Sequence, residues 1–140
     1  MKLIFIGLLL LATSVQAKTD YSKLVPGGKI VEKTKIDIKI KTKAGTNIEI
    51  GIDDDGEMEE ASGSAAHKGD EFEPGNKLVS LKVAVDNLVK AGKAVQGEWT
   101  FEKSEEGEWI YDIEGEENKK PVDYIVSAKD GKLLKTEVDE

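Results

Sequence analysis

The chain has 140 residues, with 28 acidic side chains against 20 basic ones and a formal net charge of −8 at pH 7. Every basic residue other than the single histidine is lysine, and there is no cysteine. That composition excludes a disulfide framework. It disfavours a zinc site of the usual His and Cys ligands, a Ser-His or Cys-His nucleophile, bidentate arginine recognition of phosphate and nucleic-acid binding.

Met1 to Ala17 reads as an export leader. Lys2 is a short basic start, Leu3 to Ala12 is an apolar run too short to span a bilayer, and Val15-Gln16-Ala17 fits a small-residue cleavage site. The mature chain is expected to begin at Lys18, to lie in the periplasm or outside the cell, and to have no membrane segment after cleavage. Loss of Lys2 leaves a net charge of −9, unevenly spread: +5 over residues 18–45, −8 over 46–77 and −6 over 78–140. A length of 123 residues suits one compact domain.

Lys18 to Val25 reads as a short helical turn ended by Pro26-Gly27-Gly28, and Lys29 to Thr34 as a first strand. Ile36, Ile38 and Ile40 alternate with charged residues, as do Ile48, Ile50 and Ile52 with polar residues and Gly51, the period of half-buried strands in a hairpin. Asp55-Gly56 is a turn, and Glu57 to Ala61 extends the strand beyond it. Residues 62–77, SGSAAHKGDEFEPGNK, lack apolar periodicity and read as a linker. Then comes an amphipathic helix of about 80–91. Ser80 is its N-cap, Leu81, Ala84, Val85 and Leu88 form one apolar face, and Gly92 is its left-handed stop. Strands follow at Gly97–Lys103, Glu108–Glu114 and Tyr124–Lys129. Asp130-Gly131 turns the chain into a last extended stretch at Lys132–Val138.

Two segments repeat. Leu24–Val31 (LVPGGKIV) matches Leu88–Val95 (LVKAGKAV) at an offset of 64, and Asp55-Gly56 matches Asp130-Gly131 at an offset of 75. Each half therefore reads as a helix end, a glycine and three strands. The predicted fold is α+β: an antiparallel sheet of about six strands from two related three-stranded units, with one main helix packed on it and serving both halves. The expected organisation is a leader at 1–17, a first half at 18–61 with a truncated helix, a linker at 62–77 and a second unit at 78–140.

The helix start Val79-Ser80-Leu81 with Ala84, the exit Gly92-Lys93 and the ending Tyr124 to Leu134 (YIVSAKDGKLL) resemble the PepSY domain, including the PepSY-like group compared with β-lactamase-inhibitor proteins. The likeness runs throughout residues 78–140. In the first half it covers only the strands at 24–61, where the family's helix is missing. It implies a secreted or periplasmic module that binds a ligand or regulates a peptidase, and it carries over no catalytic residue.

Three groups of residues are candidates for function. Trp99, Phe101, Trp109 and Tyr111 fall on two adjacent strands, where they serve either as core or as anchors for a partner, with Glu98, Glu102, Glu108 and Glu114 as an acidic rim. Lys35, Lys39 and Lys41, with Lys33 and Lys43, form a basic stripe opposite the isoleucines, either a solvated face or a contact for an acidic partner. Asp53-Asp54-Asp55-Gly56-Glu57 invites a calcium reading but misses the EF-hand spacing, because Gly51 and Ser62 would fill its first and twelfth positions. The expectation is a non-enzymatic binding module with a protein or peptide partner and no catalytic residue, cofactor or metal. The alternative is a small-ligand or calcium-binding protein that uses the acidic Asp-Gly turns. Oligomeric state is left open.

Overall fold

Alternation becomes strand wherever isoleucines set the period. The computed structural model describes residues 21–139, so the expected leader lies outside the described residues. A four-residue turn of helix, α1 (Tyr21–Leu24), precedes β1 (Lys29–Lys33), β2 (Asp37–Lys41), β3 (Asn47–Ile52) and β4 (Met58–Gly63). A connector leads to α2 (Leu81–Lys90), then to β5 (Ala94–Lys103), β6 (Trp109–Glu117), β7 (Lys120–Ser127) and β8 (Leu133–Val138).

The expected α+β fold of about six strands does not form. The fold is mostly β: a single antiparallel meander of eight strands in the order β1 to β8, with one short helix. The physical reason lies beyond the two Asp-Gly turns. The stretches that follow them pair fully, as β4 on β3 and β8 on β7, so each expected three-stranded unit gains a fourth strand. The halves join where Ala61, Ser62 and Gly63 of β4 pair with Phe101, Thr100 and Trp99 of β5. Asp55-Gly56 and Asp130-Gly131 occupy equivalent places, between the third and fourth strands of each half. Gly56 and Gly131 both have positive φ, at 81° and 78°, which their side-chain-free backbone permits.

The helix forms as its sequence dictates. The Ser80 hydroxyl accepts the Val83 N–H at 3.3 Å, and Gly92 takes φ 81° just past the last turn. Leu81, Ala84, Val85 and Leu88 are buried. The helix docks against β5 and β6 and is tied at both ends. Val79 donates its N–H to the Ala128 carbonyl and accepts from the Tyr111 hydroxyl, each at 2.7 Å, and the Asn87 amide donates to the Gly131 carbonyl at 2.8 Å.

The helix shares one buried cluster with the isoleucines of the first half, and the connector adds to that cover. Gly69 lies against Ala44 and Thr46 at the β2–β3 turn, and Glu73 donates its N–H to the Leu24 carbonyl. Leu24, Val25, Ala66 and Phe72 share one buried cluster with Ile38, Ile40, Ile48 and Ile50. The segment 62–77 is thus far from a passive spacer. Phe72 is 1% exposed, with ring centroids 5.2 Å from Trp99 and 5.1 Å from Phe101 and an edge-on contact with Tyr111.

Asp70 is the polar clasp of that segment. One carboxylate oxygen accepts the Thr46 hydroxyl. The other accepts the Trp99 indole N–H at 2.7 Å and the Ala65 N–H at 3.0 Å. Gly63 makes room for it, because a Cβ there would sit 2.3 Å from Asp70 Oδ2 and 2.6 Å from Trp99 Nε1.

Candidate functional site

One face of the sheet carries the core, and the other is open. Cross-strand register places Lys39, Glu49, Ser62, Thr100 and Asp112 in one row across that open face, from β2 to β6. Cross-strand partners share a face because side chains alternate along each strand. The row forms a trough of about 490 Å³. Short hydroxyl side chains, Ser62 and Thr100, make its floor where the two halves meet. Lys39 and Glu49 bound it on one side, and Asp112, Glu114 and Asp123 on the other.

The acidic side is crowded. Asp112 and Asp123 sit diagonally across the β6–β7 ladder, close enough for each carboxyl group to shift the other. Burial, then the Asp123 charge, pushes Asp112 up to about 7. Asp123 is also raised, by burial first and then by Asp139, and Glu114 by burial first and then by Glu98. The trough is therefore a place where a proton, or a cationic group of a ligand, relieves repulsion.

A pH dependence follows. In the unfolded chain Asp112 gives up its proton near pH ~3.9; in the folded chain it does so near pH 7. Between these values the folded state binds the extra proton, so this site's contribution to stability falls as pH rises. Asp112→Asn is expected to be more stable than wild type at pH 8 by about 1–2 kcal/mol, after reduction for the half-exposed position. The gain is expected to vanish near pH 4. Urea midpoints of both proteins from pH 4 to 8 isolate the site as a difference, and equal midpoints at pH 8 would refute it.

The sequence candidates divide between core and surface. Trp99, Phe101 and Tyr111 are 2%, 0% and 0% exposed, which removes them as partner anchors. They face the core because β5 and β6 point them, through strand alternation, under Phe72 and α2. Trp109 is half-buried and stacked on Phe101 at 4.6 Å, with Lys103 over its ring. Lys39 and Lys41 share the open face of β2, whereas Lys35 lies in the β1–β2 turn. The basic stripe is therefore two lysines on one strand, with Lys33 on β1 and Lys43 in the next turn. Of the expected acidic rim, Glu98 and Glu114 line the trough and Glu102 shares their face, whereas Glu108 lies in the β5–β6 turn.

In each acidic turn one carboxylate oxygen closes the backbone. Asp53 Oδ1 accepts the N–H groups of Asp55 and Glu57 at 2.8 and 3.0 Å, and Asp130 Oδ1 accepts that of Lys132 at 3.0 Å. These are side-chain-closed turns. Among the described residues no group of three or more His, Cys, Asp or Glu side chains is placed to hold a metal ion. His67 sits in the connector beside a shallow cleft lined by Lys82 and Asp86.

Asp112, Asp123 and Asp70 were missed from sequence. The first two are separated by a hairpin and meet only through the β6–β7 register. Asp70 stands in a stretch already rich in acids, and its one signal was the glycine before it.

No family model matches the chain, and no curated protein matches it. Among solved structures, the crystal structure of a protein from Clostridium difficile 630, described as a "putative lipoprotein", covers 92% of this chain and 92% of its own, at 16% identity and a TM-score of 0.43. At that TM-score the likeness carries no argument. Among the described residues no helix is long and apolar enough to cross a membrane.

Proposed function

We propose that the chain is an extracytoplasmic, non-enzymatic binding module of the PepSY-like kind that takes an extended protein or peptide segment on the open face of its sheet. The observation that carries this reading is the trough over Ser62 and Thr100. Pockets for drug-sized ligands are concave and mostly apolar. This trough has a short polar floor and charged walls of both signs, which suits a polypeptide backbone with charged side chains. The burial of Trp99, Phe101 and Tyr111 turns attention from the aromatics to this face. The leader-like pattern of residues 1–17 supports a place outside the cytoplasm. Modulation of a peptidase is the specific form of the reading, and it rests on the resemblance over residues 78–140.

A photo-crosslinking side chain at position 100, on the trough floor, and another at position 83, on the exposed side of α2, test it in cells of the source organism. Adducts to one polypeptide are expected from position 100 alone. Thr100→Trp, which fills the trough, is expected to abolish capture of that polypeptide by the unlabelled protein. Adducts of equal yield from both positions, or none from position 100, would sink the reading.

A further inference from the structure

An open eight-stranded meander has two edges, β1 and β8, and most of the exposed apolar surface gathers there. Of eight large hydrophobic side chains exposed among the described residues, Ile30 and Val31 lie on β1, Ile36 in the turn after it, and Leu133, Leu134 and Val138 on β8; the other two are on α2. Unpaired edges offer a row of backbone donors and acceptors to another strand. The charges on the two edges differ in sign. Residues 29–35 hold three lysines and one glutamate, a net +2, whereas residues 133–140 hold one lysine and three acids, a net −2.

We propose that these edges recognise a second copy of this chain, β1 of one copy adding to β8 of the next. Strand direction alternates through the meander, so β1 and β8 are antiparallel and the addition continues the same sheet. Like-edge pairing sets lysine against lysine or acid against acid, and only the unlike pair brings opposite charge together. It also covers Ile30 and Val31 with Leu133 and Val138. The contact is heterologous, so it propagates rather than closing at two copies. A register shift between Ile30 and Glu32 of β1, and another where β8 meets Val126 of β7, shorten the regular edge. An interface this small lies at the weak end of the range, so association is expected only from about 0.1 mM upward. The surface is separate from the trough, and the two are tested independently.

A charge swap tests the proposal. Lys33→Glu with Lys35→Glu turns the β1 edge to −2, and Glu137→Lys with Asp139→Lys turns the β8 edge to +2. All four positions are exposed, so folding is expected to survive, which circular dichroism checks. In sedimentation velocity at low salt, the wild-type mean mass is expected to rise with concentration and to fall back at ~0.5 M salt, where surface charges are screened. Each double variant alone is expected to stay monomeric, and an equimolar mixture of the two is expected to regain the wild-type rise. A wild type that stays monomeric across the range, or a mixture that does not recover, overturns the proposal.

Discussion

Phe72→Ala is expected to destabilise the protein by about 3–5 kcal/mol, the range for removing a buried aromatic ring. For a domain of this size that lowers the melting temperature by roughly 10–20 °C. Residue 72 lies in a stretch whose composition is that of a linker, where a substitution ordinarily changes stability by about 0.5 kcal/mol or less. The two expectations differ widely, so the experiment is decisive. The large value follows from position: the ring is 1% exposed and packs on Trp99, Phe101 and Tyr111 under the N-terminus of α2, where the Leu81 N–H donates to the Phe72 carbonyl at 3.0 Å. Removing it leaves a cavity between strand and helix that neither can close without losing its own contacts. Phe72→Leu is expected to cost less than half as much. Urea unfolding followed by tryptophan fluorescence measures both. A loss under 1 kcal/mol for the alanine variant would mean that the connector does not seal this core.

Asp70→Leu is the second large expected effect, a loss of about 3 kcal/mol or more. It strands two donors, the Trp99 indole and the Ala65 N–H, whereas the Thr46 hydroxyl keeps Thr42 Oγ1 as a partner. Each buried group left unsatisfied costs about 1–3 kcal/mol, and leucine also has more bulk than the site was built for. Asp70→Asn separates the hydrogen bonding from the fit. Its carbonyl oxygen can keep the Trp99 and Ala65 donors. Its NH2 then faces Thr46, whose hydroxyl can rotate to accept. A loss of only about 1 kcal/mol is expected for asparagine. Thermal melts of the two variants check the order, and a leucine variant as stable as the asparagine one would show that the clasp carries no energy. Loss of the clasp is also expected to shift tryptophan emission, because Trp99 loses its partner.

Neither effect was legible in the sequence, and the reason is common to both. Phe72 is flanked by Glu71 and Glu73 and follows Gly69-Asp70, so no period of 2 or 3.6 marks it as inward-facing. Its burial depends on a surface that exists only once β5 and β6 have paired. Asp70 reaches partners 24 and 29 residues away, on the β2–β3 turn and on β5. In contrast, the isoleucines of β2 and β3, the cap at Ser80 and the turn at Gly92 are local. Each is set by alternation or by backbone conformation within a few residues, and each forms where expected.

The internal repeat was legible in part. The matched segments at Leu24–Val31 and Leu88–Val95 do mark the entries to β1 and β5, and the two Asp-Gly pairs mark equivalent turns. The strand count was not legible, because β4 and β8 have weak alternation of their own. MEEASG buries only Ala61 fully, and LLKTEV is exposed along its whole length. Such strands are held by the ladder of a neighbour rather than by an apolar face. The candidate site shows the same division. Lys39 and Lys41 could be placed on one face from spacing, but the row that joins Lys39 to Asp112 needs four successive strand registers.

By itself the sequence determined the absence of cysteine chemistry, the position and ends of the one sizeable helix and the hairpin of isoleucine strands, because these rest on composition and on interactions between near neighbours. Only the tertiary structure decided that the sheet has eight strands, that the connector packs over the first half, that the aromatics are core, and that Asp112 and Asp123 crowd one end of an open trough. Each of those depends on which distant segments meet, and that is set by the burial and hydrogen-bond satisfaction of the whole chain.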